Sequence, residues 1–140
     1  MRLLLDTHVF LWCVKDDRRL TKAARALLSS ATEIYVSSAS IWEAAIKAKL
    51  GKLDVDVDAL VSSIADSGFL ELPVTARHAA AVGRLPDVHN DPFDRLLIAQ
   101  AISEPLRFLS ADDVLGQYSD LVELVSVSYT HLTLPTIYSV

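Results

Sequence analysis

Short runs of consecutive apolar residues, each separated from the next by stretches of helical period, limit how this chain can fold more than any other feature. Leu3-Leu4-Leu5 stops abruptly at Asp6. Ile34-Tyr35-Val36 is rich in strand formers and ends in Ser37-Ser38. Further strand-like runs, each interrupted by one charged residue, cover 69–72, closed by Pro73, then 106–109 and 121–124. A run that is apolar at every position, rather than at alternate ones, is buried on both faces, which is the mark of a parallel strand. The intervening stretches predict helices over residues 7–15, 20–31, 40–50, 56–67, 75–82 and 92–102. Thr7 and Thr75 stand where N-caps belong, and Ser40 with Glu43 three residues on has the form of a capping box. Pro92 suits a first helical turn, and Gly51 and Gly68 suit helix ends. Strands that alternate with helices predict an α/β fold: a central parallel sheet of four to five strands, covered by helices on both faces in three layers.

Size and charge narrow the function. A chain of 140 residues is expected to form one domain and to bury a core without disulfide staples. Cys13 is the single cysteine, which excludes an intramolecular disulfide and suits a reducing cytoplasm. It lies in an apolar run and is expected to be a packed thiol. Asp6 interrupts the N-terminal leucines too early for a signal peptide, and no apolar run approaches a membrane span. The net charge is −5, the wrong sign for holding nucleic acid by bulk attraction. An acidic chain that handles RNA needs a local reversal of sign, which bound cations supply.

The last stretch has a different character. Residues 127–140 contain no Asp, Glu, Lys or Arg and keep neither a strand nor a helix period. The domain is expected over residues 1–126. The remaining tail is expected to be non-native, like translated adapter or vector sequence, or disordered, and carries no assigned function.

Acidic residues fall where strands end or helices begin. Asp6 follows the first strand, and Glu43 lies on the helix after the second. Asp94, with Asp91 one turn earlier, opens the helix at Pro92, and Asp112 follows Leu109-Ser110. The carboxyl ends of parallel strands share one edge of the sheet, where ligands bind. Carboxylates gathered there repel one another unless a cation lies among them. Hard divalent ions such as Mg²⁺ prefer such oxygens, and they can bind a phosphodiester and activate a water. Taken singly, each of these acids also suits a helix cap or a turn.

Four blocks, in order, then carry a resemblance. Leu3-Leu4-Leu5-Asp6-Thr7-His8 resembles the opening of PIN-domain proteins. Ser37-Ser38-Ala39-Ser40-Ile41-Trp42-Glu43, followed by Lys49-Leu50-Gly51-Lys52-Leu53, is similar to the second acidic motif of VapC-type toxins. The segment His89-Asn90-Asp91-Pro92-Phe93-Asp94-Arg95-Leu96-Leu97-Ile98-Ala99-Gln100-Ala101 resembles the most specific block of one VapC subfamily, and Leu109-Ser110-Ala111-Asp112 the fourth motif. The resemblance covers about residues 2 to 126. It implies a PIN-like α/β/α sandwich and a Mg²⁺- or Mn²⁺-dependent endoribonuclease, the toxin of a toxin–antitoxin pair. Asp6, Glu43, Asp94 and Asp112 are then the metal-binding acids. Asp91 is an accessory, and Asp113 is an alternative to Asp112. The implied partners are an RNA substrate, a cognate VapB-type antitoxin and a second copy of the chain, in the cytoplasm and without a membrane.

The neighbours of these acids carry weaker expectations. Thr7 is read as an N-cap or as a donor to Asp6 or a metal-bound water, and Ser38 and Ser40 as caps. His8 and His89 are read as structural rather than phosphate-binding, and Arg95 as a structural ion pair. Trp12 and Trp42 are assigned to core or dimer surface. Lys47, Lys49 and Lys52 offer a basic rim on a solvated helix face. Other classes fit less well. An aspartyl phosphotransferase needs an acid where His8 stands. A receiver domain needs a late lysine, and none follows Lys52. A dinucleotide binder needs a glycine-rich turn after the first strand. The remaining alternative is a catalytically inactive PIN-like module that binds RNA or protein, against which the complete set of acids argues.

Overall fold

The computed structural model describes residues 1–87 and 90–112 and the backbone of 122–124. Five parallel strands form one sheet: β1 (Arg2–Leu5), β2 (Glu33–Ser37), β3 (Leu70–Leu72), β4 (Arg107–Ser110) and β5 (Val122–Leu124), in the order β3-β2-β1-β4-β5. Six helices connect them: α1 (Thr7–Lys15), α2 (Lys22–Ser30), α3 (Ser38–Lys49), α4 (Val57–Asp66), α5 (Ala76–Val82) and α6 (Pro92–Ser103).

The consecutive leucines of β1 explain the layering. Leu3 and Leu5 enter a core formed with Val9, Phe10 and Trp12 of α1, Ala44 of α3, and Leu60 and Ile64 of α4. Leu4 points to the other face, where it packs with Leu97, Ile98 and Ala101 of α6 and Phe108 of β4. All three leucines are fully buried, so the central strand is apolar at every position because both of its faces are covered. The expected three-layer α/β/α sandwich is present.

Strand β1 lies at the centre, with β2 on one side and β4 on the other. The chain runs outward through β2 and β3 and then crosses back to place β4 beside β1. That reversal opens a crevice at the carboxyl edge of β1, the usual binding position in such sheets. The backbone N–H of Asp6, just past β1, donates to the Leu109 carbonyl of β4 at 3.0 Å, which locks this edge.

Several local expectations are corrected. Helix α1 is capped by Asp6, whose side chain accepts from the Val9 N–H, so Thr7 is the first helical residue and not the cap. Ser40 and Glu43 do not form a capping box. Helix α3 begins as soon as β2 ends, with Ser37 as the cap accepting from the Ala39 N–H. Ser38 is therefore already helical, and its hydroxyl accepts from the Val74 N–H. A true capping box stands at Thr75, with His78 in the place normally held by Glu or Gln. Helix α2 starts at Lys22 behind Thr21, two residues later than the apolar period implies. Gly51 and Gly68 have φ of 75° and 78°, the left-handed conformation that the ends of α3 and α4 require. Residues 127–140, with His89 and Asp113, lie outside the described residues.

Candidate metal centre

Asp6, Glu43, Asp91, Asp94 and Asp112 line a single cleft of about 200 Å³, together with His8, Lys47 and Ala111. The five acids arrive from four places in the fold. Asp6 and Asp112 follow the adjacent central strands β1 and β4, Glu43 comes from the second turn of α3, and Asp91 and Asp94 from the start of α6.

Asp6 is the most constrained. It is 3% exposed. One carboxylate oxygen accepts from the Val9 N–H at 2.8 Å, and the other accepts from the Ser110 hydroxyl at 2.6 Å. Burial pushes its pKa above the usual aspartate value, and the nearby Glu43 adds to the rise. His8 and the two hydrogen bonds oppose the shift without cancelling it. Ser110 also accepts from the Asp112 N–H at 3.0 Å, so one hydroxyl ties the first acid to the turn that carries the fourth. Ser110 is a functional residue that no motif of the sequence singles out. Its signal was its position, the last residue of a strand adjacent to β1.

Glu43 is also 3% exposed. Its Oε2 accepts from the Lys47 ammonium at 2.9 Å, one helical turn away. Its Oε1 is buried with no hydrogen-bond partner. A buried carboxylate oxygen with no donor costs free energy unless something positive approaches it. Lys47 is the single lysine or arginine among the described residues that line the cleft. Of the expected basic rim, it faces the acids, while Lys49 and Lys52 are exposed.

The remaining acids are half-buried. Asp91 caps α6, its Oδ1 accepting from the Phe93 and Asp94 N–H groups at 2.9 and 3.2 Å. Among the described residues, no three His, Cys, Asp or Glu side chains stand close enough together to hold a metal ion as they are placed. Both oxygens of Asp6 are engaged by the α1 cap and Ser110, one oxygen of Asp91 by the α6 cap, and one oxygen of Glu43 by Lys47.

The other expectations divide. Trp12 is a core residue, 3% exposed. Trp42 is not: it is 61% exposed and meets Phe93 edge-on at 5.1 Å between ring centres. Thr7 donates to neither Asp6 nor a cap but to the Ser40 hydroxyl, at 2.9 Å in a buried contact between α1 and α3. The Arg95 guanidinium donates to the carbonyls of Pro86 and Val82, at 2.9 and 3.2 Å, and so steadies the segment leading into α6. Cys13 is half-buried against the main core, and burial pushes its thiol up to about 11.

With this geometry in hand, comparison with known proteins identifies the fold. The family model of the PIN domain matches residues 3–121. This chain belongs to the PIN-domain family. Ribonuclease VapC22 of Mycobacterium tuberculosis is 30% identical to this PIN domain over 113 residues, which is 79% of the chain and 86% of that protein. Among solved structures, VapBC2 from Rickettsia felis, bound to a DNA fragment from its promoter, superposes with a TM-score of 0.67 at 17% identity, over 90% of this chain and 100% of that one. DNA-bound VapBC from Salmonella typhimurium gives 0.60 at 14% identity, over 89% and 96%. At such identities the PIN-domain fold is what the structural likeness carries.

Proposed function

We propose that this PIN domain is a metal-dependent endoribonuclease that hydrolyses RNA phosphodiester bonds as the toxin of a toxin–antitoxin pair in the cytoplasm. The observation that carries the reading is Glu43, a buried carboxylate with one oxygen on Lys47 and the other without a donor, in a cleft with four further acids. Uncompensated carboxylate oxygens of this kind fit a hard divalent cation. The 30% identical relative that is a ribonuclease adds support.

Asp6, Glu43, Asp94 and Asp112 would hold Mg²⁺ or Mn²⁺. Asp91, with one oxygen already used as a helix cap, is an accessory. Held there, the ion would supply positive charge for the phosphodiester and would lower the pKa of a water so that its hydroxide form can attack. The rest belongs to the chain. The Val9 N–H and the Ser110 hydroxyl fix the Asp6 carboxylate. Burial keeps competing water from Asp6 and Glu43. The Ser110 hydroxyl sets the Asp112 turn beside Asp6. Arg95 ties the start of α6, which carries Asp94, to the end of α5 through the carbonyls of Val82 and Pro86.

Partners follow from the surface and the relatives. Trp42, Ile46 and Leu50 lie four residues apart along α3 and are 61%, 37% and 62% exposed. An apolar stripe of this kind beside the cleft suits a protein partner, here a VapB-type antitoxin or a second copy of the chain. The solved neighbours include toxin–antitoxin complexes. No helix among the described residues is long and apolar enough to cross a membrane.

The test is cleavage of RNA by purified protein in Mg²⁺ or Mn²⁺, with and without excess chelator. The expected products carry 5′-phosphate and 3′-hydroxyl ends, because water and not the ribose 2′-hydroxyl attacks. Cleavage that persists in chelator, or 2′,3′-cyclic phosphate ends, would contradict the mechanism.

A further inference from the structure

Lys47 presents an unusual combination of features. Its ammonium lies 2.9 Å from Glu43 Oε2, yet its side chain keeps 25% of its exposure while that of Glu43 keeps 5%. Acid and base are one turn apart on α3, with the base on the C-terminal side, the favoured order for a helical pair. Glu43 Oε1 stays without a partner, so a single ammonium answers only half of this carboxylate. No group of three acids is assembled for a metal ion among the described residues.

We propose that Lys47 is a resident counter-ion that holds Glu43 while the cleft is metal-free, and that it turns to an RNA phosphate when a divalent ion takes Glu43. The inference rests on the metal-dependent reading above. A divalent ion on Glu43 repels the ammonium at this range. The flexible four-carbon stem of lysine, already partly exposed, lets the charge swing outward without unfolding the helix. The released ammonium then lies at the mouth of an otherwise acidic cleft, where a polyanion most needs a cation. Metal and RNA thus help each other, since each removes the competitor of the other, and the coupling is reciprocal.

Two binding measurements test this without reading activity. The first is Mn²⁺ affinity in the absence of RNA, by calorimetry. Lys47→Met is expected to bind Mn²⁺ several-fold more tightly than wild type, because the competing ammonium is gone. Lys47→Arg is expected to bind it several-fold more weakly, because a guanidinium fork can engage both oxygens of Glu43. The second is binding of a fluorescein-labelled single-stranded RNA in Mn²⁺, read as anisotropy within the dead time before cleavage. Lys47→Met is expected to bind several-fold more weakly, with about one phosphate contact fewer in its salt dependence. Should removal of the ammonium unfold the protein, as circular dichroism would reveal, the Lys47→Arg arm still decides. Equal Mn²⁺ affinity in wild type and variants, or unchanged RNA affinity in Lys47→Met, overturns the role of Lys47 alone. A wild type that binds no Mn²⁺ overturns the metal reading as well.

Discussion

Helix α1 has an aspartate at each end, and the two behave in opposite ways. Asp6 caps the N-terminus, where the helix dipole favours negative charge, yet its pKa is raised because it is buried. Asp17 lies just past the C-terminus, where the dipole disfavours negative charge, yet its pKa is lowered to about 2. Arg19 accounts for that: its Nη2 and Nε reach the two oxygens of Asp17 at 2.8 and 3.1 Å, and its backbone N–H donates as well. The same guanidinium covers the ring of Trp12 at 5.1 Å. Local partners and desolvation therefore override the dipole at both ends. The comparison also separates two purposes. At the C-terminus the fold answers a carboxylate fully with its own cation. At the N-terminus it buries one beside other acids and provides hydroxyl and amide donors but no cation in direct contact among the described residues.

The largest expected effect comes from breaking the N-terminal side of this comparison. Asp6→Asn keeps the cap, since Asn accepts from the Val9 N–H equally well. RNA cleavage should fall at least about a hundredfold, beyond the loss typical of a metal's outer partners. The metal-free variant should nonetheless melt higher, by on the order of 1 kcal/mol, because a buried charge is gone. The sign with pH follows from the raised pKa. The folded wild type binds more protons than the unfolded chain between the ordinary aspartate value and the raised one, so its stability falls as pH climbs through that window. The advantage of Asp6→Asn in thermal melts should therefore widen from acid toward neutral pH. A variant that melts lower at every pH would make Asp6 a structural cap only.

A smaller effect should come from Ser110→Ala. It removes the donor at 2.6 Å from Asp6 and the acceptor for the Asp112 N–H. Loss of a buried hydrogen bond to a charged group costs roughly 1.5–3 kcal/mol. Chemical denaturation should show a loss in that range, and cleavage should fall because two acids lose their common anchor. Unchanged cleavage would confine Ser110 to stability.

The smallest effect belongs to the other end of the helix. Arg19→Met should cost up to about 1 kcal/mol, since the pair is partly exposed and solvent screens it. Its contribution is present above the ordinary aspartate pKa and is lost as pH falls toward about 2. The difference between variant and wild type should hence shrink in strong acid to what the contact of Arg19 with the Trp12 ring contributes, and RNA cleavage should not change.

Much of this was legible in the sequence. The uninterrupted leucines of β1 disclosed a strand buried on both faces, and the acids at strand ends disclosed the shared edge. What was not legible depends on long-range geometry. Ser40 and Glu43 satisfy the local pattern of a capping box, but the cap is Ser37, three residues earlier, at a point fixed by where β2 leaves the sheet. Ser40 instead meets Thr7, 33 residues away in sequence, a contact that no local pattern encodes. Lys47 was legible only as one of three lysines offering a basic rim; its bond to Glu43 and the burial that leaves Oε1 without a partner come from packing. Trp42 suits either a core or a protein-facing surface by residue type, and only its placement on α3, where the Phe93 edge meets it but leaves it 61% exposed, separates the two.

Mn²⁺ soaked into crystals of the protein and located by its anomalous scattering tests the central claim most directly. One or more peaks are expected in the cleft lined by Asp6, Glu43, Asp94 and Asp112, with an oxygen of Glu43 on the ion and Lys47 moved away from it. A cleft without Mn²⁺ at saturating concentration, with Glu43 still bound to Lys47, would contradict that claim.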